Sequence, residues 1–252
     1  MIHQYSAGMI GHMITAHADV VGSLLRPAKL LDAQRQLAAG KLEETEFTAI
    51  EDRAVDEAVD LQEGAGLEIV TDGEMRRRSF QSQMTAAVAG FGEFDLDAFL
   101  WGEWHDEKGV QNTRRPRRLG AVAKLKPLRY LSADEFSYLK SKTKRIPKIT
   151  IPSPGLWANF WSPRHSREAY PTLDAFLADI VQILREEVAE LVRRGACYIQ
   201  IDAPHYGLLL DPRTRAFYER LGWNLDEWLS LGIALDNAVV KGFPEVTFGF
   251  HV

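Results

Sequence analysis

The residues with the most chemistry to offer are carboxylates that close short β-prone runs. Cys197-Tyr-Ile-Gln-Ile-Asp-Ala-Pro204 follows Gly195, and the run Tyr198 to Ile201 predicts a buried strand. Asp202 falls where that strand ends, and Pro204 prevents a ladder from continuing. Leu67-Glu-Ile-Val-Thr-Asp-Gly-Glu74 has the same form, with acidic side chains beyond its apolar residues. Carboxyl ends of parallel strands are where α/β proteins collect ligands and catalytic groups. A pair such as Glu74 and Asp202 fits the acid and nucleophile of a retaining glycosidase, whose carboxyl groups sit about 5 Å apart. Each alone fits an ordinary turn or helix cap equally well.

Composition narrows the field. The 252 residues hold one large domain or two small ones, and a hydrophobic share of 46% is that of a globular protein. A formal net charge of −5 argues against a nucleic-acid or anionic-membrane surface. The single cysteine, Cys197, rules out an intrachain disulfide and suits a reducing cytoplasm. No lysine or arginine precedes Arg26, so the amino terminus lacks the marks of a secretory or transit peptide. No apolar run approaches the ~20 residues of a membrane helix. A cytoplasmic protein without nucleic-acid or membrane partners is expected.

The elements that must position the carboxylates follow a repeated pattern. Residues 1–17 read as a loose leader, and His3, His12 and His17 as solvated histidines rather than metal ligands. Ala18-Asp-Val-Val-Gly-Ser23 predicts a strand entering a Gly-Ser turn, and Pro27 opens a helix. A second helix from about Thr45 carries Phe47, Ile50, Ala54, Ala58 and Leu61 on one face and stops at Gly64 and Gly66. Residues 88–130 interrupt this grammar and read as an inserted β-hairpin. Its basic run, Arg114 to Arg118, reads as a solvated arm. Ser132 with Glu135 forms a capping-box signature, while Thr172 and Asn224 begin later helices. Strands are predicted near Val20, Ile69, Ile149, Ile199 and Phe248. They should lie parallel in that order, with Ser23, Glu74, Asp202 and His251 at one end.

A complete (β/α)8 barrel takes about 250 residues, yet long helices and the hairpin consume this chain. Only five barrel strands are legible, so residues 18–252 read as the amino-terminal five-eighths of one barrel domain. Open first and fifth strands would favour homodimerisation or aggregation.

Five stretches then carry a resemblance: Asp19-Val-Val-Gly-Ser-Leu-Leu-Arg-Pro27, Thr71-Asp-Gly-Glu74, Ile151-Pro-Ser-Pro154, Tyr198-Ile-Gln-Ile-Asp202 and Phe250-His-Val252. In order and context they resemble the cobalamin-independent methionine synthase family. They most resemble its short single-barrel members of the 5-methyltetrahydropteroyltriglutamate–homocysteine methyltransferase type. The resemblance implies an α/β TIM barrel of the methionine-synthase/uroporphyrinogen-decarboxylase type. It also implies methyl transfer from a methyl-folate donor to a thiol such as homocysteine. Related members alkylate other thiols, as in the epoxide–coenzyme M type.

The same resemblance implies roles. Val21, Gly22 and Ser23 match the turn that holds an amino acid's carboxylate, and Glu74 and Asp202 match the pair that grips its ammonium. Trp161 and Ser162 match a pair on the folate side, and His251 matches the first ligand of a zinc ion. Zinc with an open coordination position takes up a thiol as its thiolate, which makes it a better nucleophile. The cysteine, glutamate and second cysteine that complete the family's set are expected beyond Val252. Cys197, at the opposite end of its strand, cannot replace them. Ala203 stands where the family usually carries a second acidic residue. An incomplete barrel without activity of its own is the remaining alternative.

Overall fold

A computed structural model describes residues 18–78, 82–93, 119–220 and 224–252. Pro27 precedes helix α1 (Ala28–Ala38) and helix α2 spans Glu44–Gly64. Strand β1 is the short pair Ile69–Val70, and a six-residue helix, α3 (Ser82–Ala87), leads into strand β2 (Val88–Glu93). Strand β3 (Leu119–Pro127) runs antiparallel to β2, so the two form a separate ribbon inside the segment read as an insertion. The basic run Arg114 to Arg118 lies outside the described residues. Next come helix α4 (Ala133–Lys142), strand β4 (Ile146–Pro152), a 3-10 helix (Pro154–Phe160) and helix α5 (Leu173–Arg193). Strand β5 (Tyr198–Asp202), helices α6 (His205–Leu208), α7 (Pro212–Arg220) and α8 (Leu225–Val240), and strand β6 (Thr247–His251) complete the order.

The main sheet has four parallel strands in the order β1-β4-β5-β6. Side chains alternate across a strand, and in β4 and β5 both faces are buried toward the strand ends. Ile149, Ile151, Ile199 and Ile201 join one core cluster with Phe176, Leu177, Ile180, Leu184 and Val188 of α5. Each such side chain contributes about 1.5–3 kcal/mol when fully buried. The alternate positions Lys148, Thr150, Gln200 and Asp202 are polar and equally sheltered. Helix α5 starts where Thr172 Oγ1 accepts from the Ala175 amide at 3.2 Å, and the chain turns beyond it at Gly195, whose φ is +92°. Helix α8 starts at Asn224, whose Oδ1 accepts from the amides of Asp226 and Glu227.

Three expectations are corrected. The segment around Val20 is not a sheet strand, so among the described residues the parallel sheet has four strands where five were expected. Side chains hold it instead of a backbone ladder. Lys148 Nζ donates to Asp19 Oδ2 at 2.7 Å and to the Val20 carbonyl, while Gln200 Nε2 donates to the Val21 carbonyl at 2.6 Å. Thr71 Oγ1 donates to the Gly22 carbonyl at 3.0 Å. Secondly, the Ser132/Glu135 capping box does not form. Glu187 of α5, fully buried, accepts from the amides of Leu131 and Ser132 and from Ser132 Oγ, and Glu135 turns inward. Thirdly, α3 had no counterpart in the sequence reading. Among the described residues no helix is long and apolar enough to cross a membrane.

Candidate functional site

The tight turn after β1 places Glu74. Gly73 and Glu74 both have positive φ, +64° and +54°, and the second is unusual for a residue with a side chain. Strain of this kind costs about 1–3 kcal/mol and persists only where surroundings hold it. Here the Glu74 amide donates to Asp72 Oδ1 at 2.9 Å, and its carbonyl accepts from Arg26 Nη2 at 3.0 Å. The result turns a carboxylate that is only 2% exposed toward the sheet's polar face.

Glu74 Oε2 accepts from Ser23 Oγ. Oε1 accepts from Thr150 Oγ1 at 2.7 Å and faces Arg77 Nη1 at 3.4 Å. A carboxylate offers about four acceptor positions, so these three donors leave about one open. Gly22 is required by close approach: a β-carbon there would stand 2.8 Å from Glu74 Oε1 and 3.1 Å from Thr150 Cγ2. Val21 is exposed and enters the site through its carbonyl, which Gln200 holds.

Asp202 ends β5, in register with Pro152 on one side and His251 on the other. Gln200 Nε2 donates to Asp202 Oδ1 at 2.7 Å, and its Oε1 accepts from the fully buried Lys148 Nζ at 2.8 Å. His251 Nδ1 lies 3.4 Å from Asp202 Oδ1. Burial raises the Asp202 pKa. The Gln200 hydrogen bond opposes that, the charge of Glu74 adds to it, and His251 and Arg77 counter it further. The charge of Glu74 thus reaches Asp202 from the neighbouring turn.

Behind Glu74 sits Arg77, 1% exposed. Its Nη1 donates to Thr150 Oγ1 at 2.7 Å, Nη2 to the Thr150 carbonyl at 3.0 Å, and Nε to Glu135 Oε2 at 2.9 Å. Burial alone would lower the Arg77 pKa, but Glu135, Glu74 and Asp72 together hold it above the ordinary value. Burial pushes Glu135 up to about 7 against the pull of Arg77, and Asp72 is raised for the same reason. The two directions agree physically, because one guanidinium is shared among three desolvated carboxyl groups. The site carries an excess of carboxylates and is suited to a cationic group such as a primary ammonium.

The other expected residues stand apart. Trp161 packs beside the core and donates its indole N–H to the Tyr170 carbonyl at 2.9 Å. Ser162 bonds within its own loop, to Ser166 Oγ and the Arg164 amide. Neither hydrogen-bonds to Glu74 or Asp202 among the described residues. His251 is at the sheet end with Asp202, but no group of three or more His, Cys, Asp or Glu suited to a metal occurs among the described residues. Zinc needs three or four protein ligands, so these residues do not fit it. Sequence reasoning missed Thr150, Arg77, Gln200, Lys148 and Glu135. The alternation in Lys148-Ile-Thr-Ile and Tyr198-Ile-Gln-Ile-Asp was the available signal.

Fold and site together define an α/β protein with two buried carboxylates, Glu74 and Asp202, at one end of a parallel sheet. Residues 13–241 match the family model described as cobalamin-independent synthase, catalytic domain, and the chain belongs to that family. It is 32% identical to the methionine synthase of Pyrococcus horikoshii over 236 residues, covering 93% of this chain and 60% of that protein. It is 28% identical over 215 residues to the 5-methyltetrahydropteroyltriglutamate–homocysteine methyltransferase of Thermosynechococcus vestitus, covering 85% of this chain and 27% of that one. A solved structure from Listeria monocytogenes, assigned as a vitamin-B12-independent methionine synthase, superposes with a TM-score of 0.67 at 22% identity. That superposition covers 94% of this chain and 64% of the other, and it places the fold with theirs. The chain thus spans about three-fifths of the length of relatives such as the Pyrococcus protein. Membership in this family sets aside the glycosidase alternative.

Proposed function

We propose that this chain provides the amino-acid-binding part of a methyltransferase that moves a methyl group from a folate-type donor to the sulfur of homocysteine, giving methionine. Glu74 and Asp202 hold the substrate ammonium, and the Val21-Gly22-Ser23 turn holds its carboxylate. Binding both ends of the amino acid fixes the direction of its side chain, so the sulfur is oriented before transfer. The observation that carries this reading is the placement of both carboxylates at one sheet end, Glu74 held by Thr150 of β4 and Asp202 by Gln200, the residue of β5 in register with Thr150. The names of the Pyrococcus and Thermosynechococcus relatives support the reaction class. Trp161 and Ser162 are proposed for the donor side. A thiol-activating zinc is not built into the proposal, because His251 is one imidazole without two further ligands beside it among the described residues.

Titration calorimetry with L-homocysteine tests the reading. Asp202→Asn and Glu74→Gln should each weaken binding at least tenfold, since a charge-assisted hydrogen bond in a sheltered site contributes about 1.5–3 kcal/mol. Unchanged affinity in both variants would reassign the two carboxylates to turn capping.

A further inference from the structure

Glu74 is held from behind by a chain of side chains that begins on α4. Glu135 receives Arg77 Nε at 2.9 Å and the Gln83 amide at its other oxygen. Arg77 grips Thr150 twice, through the hydroxyl at 2.7 Å and the carbonyl at 3.0 Å. Because that hydroxyl accepts from Arg77, its own proton is directed away from the guanidinium, and it donates to Glu74 Oε1 at 2.7 Å. Every member of this line is buried: Glu135, Arg77, Thr150 and Glu74 are all less than a tenth exposed.

We infer that Thr150, fixed by Arg77 and through it by Glu135, is a positioning residue that sets which lone pair of Glu74 is offered to a ligand cation. The inference rests on the proposed role of Glu74 in ammonium binding. Ser23 occupies Oε2, Thr150 and Arg77 occupy Oε1, and the one remaining acceptor direction is thereby chosen by the protein before a ligand arrives. A carboxylate free to rotate would have to be ordered on binding, at a cost in affinity. Glu74 itself sits on a strained left-handed residue, so its backbone alone does not explain the side chain's aim. The β-branch of Thr150 contributes separately, with Cγ2 filling the space above Gly22.

Removing Arg77 would strand several buried carboxyl groups and threatens folding, so the test uses Thr150. Thr150→Val keeps the shape and deletes the hydroxyl; Thr150→Ser keeps the hydroxyl and deletes the methyl. L-homocysteine affinity is measured by calorimetry for the parent 252-residue chain, both variants and Glu74→Gln, with thermal midpoints recorded alongside. Thr150→Val should bind about tenfold more weakly. Thr150→Ser should stay within about threefold of the parent, and both midpoints within about 5 °C of it. If Thr150→Val binds like the parent, or Thr150→Ser is as weak as Thr150→Val, the positioning role is wrong. In that case a Glu74→Gln variant that still loses binding leaves the proposed function standing. A parent chain that does not bind homocysteine overturns the proposed function, and this inference with it.

Discussion

At the scale of single residues, the site depends on how closely Gly22 and Glu74 approach. A β-carbon at position 22 would press on Glu74 Oε1 and on the Thr150 methyl, so Gly22→Ala must displace one of them. Overpacking of this sort costs about 1–3 kcal/mol. We expect Gly22→Ala to lower stability by that order in urea unfolding and to weaken homocysteine binding more than Gly40→Ala, since Gly40 lies on the exposed turn after α1. A Gly22→Ala chain with parental affinity would show that the approach is incidental. Glu74, Ser23 and Asp202 were legible because each is a polar residue at the end of a β-prone run. Arg77 was not, because its neighbours in sequence, Arg76 and Arg78, give no sign that only the middle arginine turns inward. Thr150 and Gln200 lay within runs read simply as buried, and a buried polar face looks like a solvated one until the partners are seen.

Among the elements, α4 shows how a local signature yields to a tertiary partner. Ser132 and Glu135 have the spacing of a capping box, yet Glu187 offers a fully buried carboxylate to the Ser132 amide and hydroxyl, and Arg77 draws Glu135 away. Glu187→Gln should therefore destabilise the chain by about 1–3 kcal/mol, read as a lower urea midpoint, because one acceptor becomes a misplaced donor. Glu135 adds a pH dependence. Its folded value, about 7, lies above its ordinary 4.5, so the folded chain keeps a proton that the unfolded chain releases in between. The associated stability is fully present below about 4.5 and is lost as pH rises toward 7, at up to ~1.4 kcal/mol per pH unit. Glu51, also raised to about 7 by burial, contributes in the same direction. Urea midpoints between pH 5 and 8 should fall in the parent and fall less in Glu135→Gln; equal slopes would contradict the buried ionisation. The first predicted strand failed for a related reason. Val20 and Val21 have strand chemistry, but Lys148 and Gln200 reach across to their carbonyls with side chains and hold the segment without a ladder.

At the scale of the molecule, the parallel order β1-β4-β5-β6 follows from helix–glycine–strand alternation, whereas the helix α3 had no periodic signal long enough to announce it. Among the described residues β6 is an edge of the sheet, with Phe250 47% exposed on it. Exposed edges with apolar side chains pair readily. Sedimentation velocity should show self-association of the 252-residue chain that rises with concentration and falls in Phe250→Lys; a single monomeric species throughout would argue otherwise. Elemental analysis after dialysis should find well under one zinc per chain, and stoichiometric zinc in a monomer would mean that this chain supplies ligands beyond the single His251. If Glu74 and Asp202 grip one ammonium, a double-variant cycle reads that sharing directly. Homocysteine affinity of the parent, Glu74→Gln, Asp202→Asn and the double variant gives their coupling. Two groups sharing one cation should couple by about 0.5–3 kcal/mol, so the double variant loses clearly less than the sum of the single losses. Strictly additive losses would place the two carboxylates on different parts of the ligand.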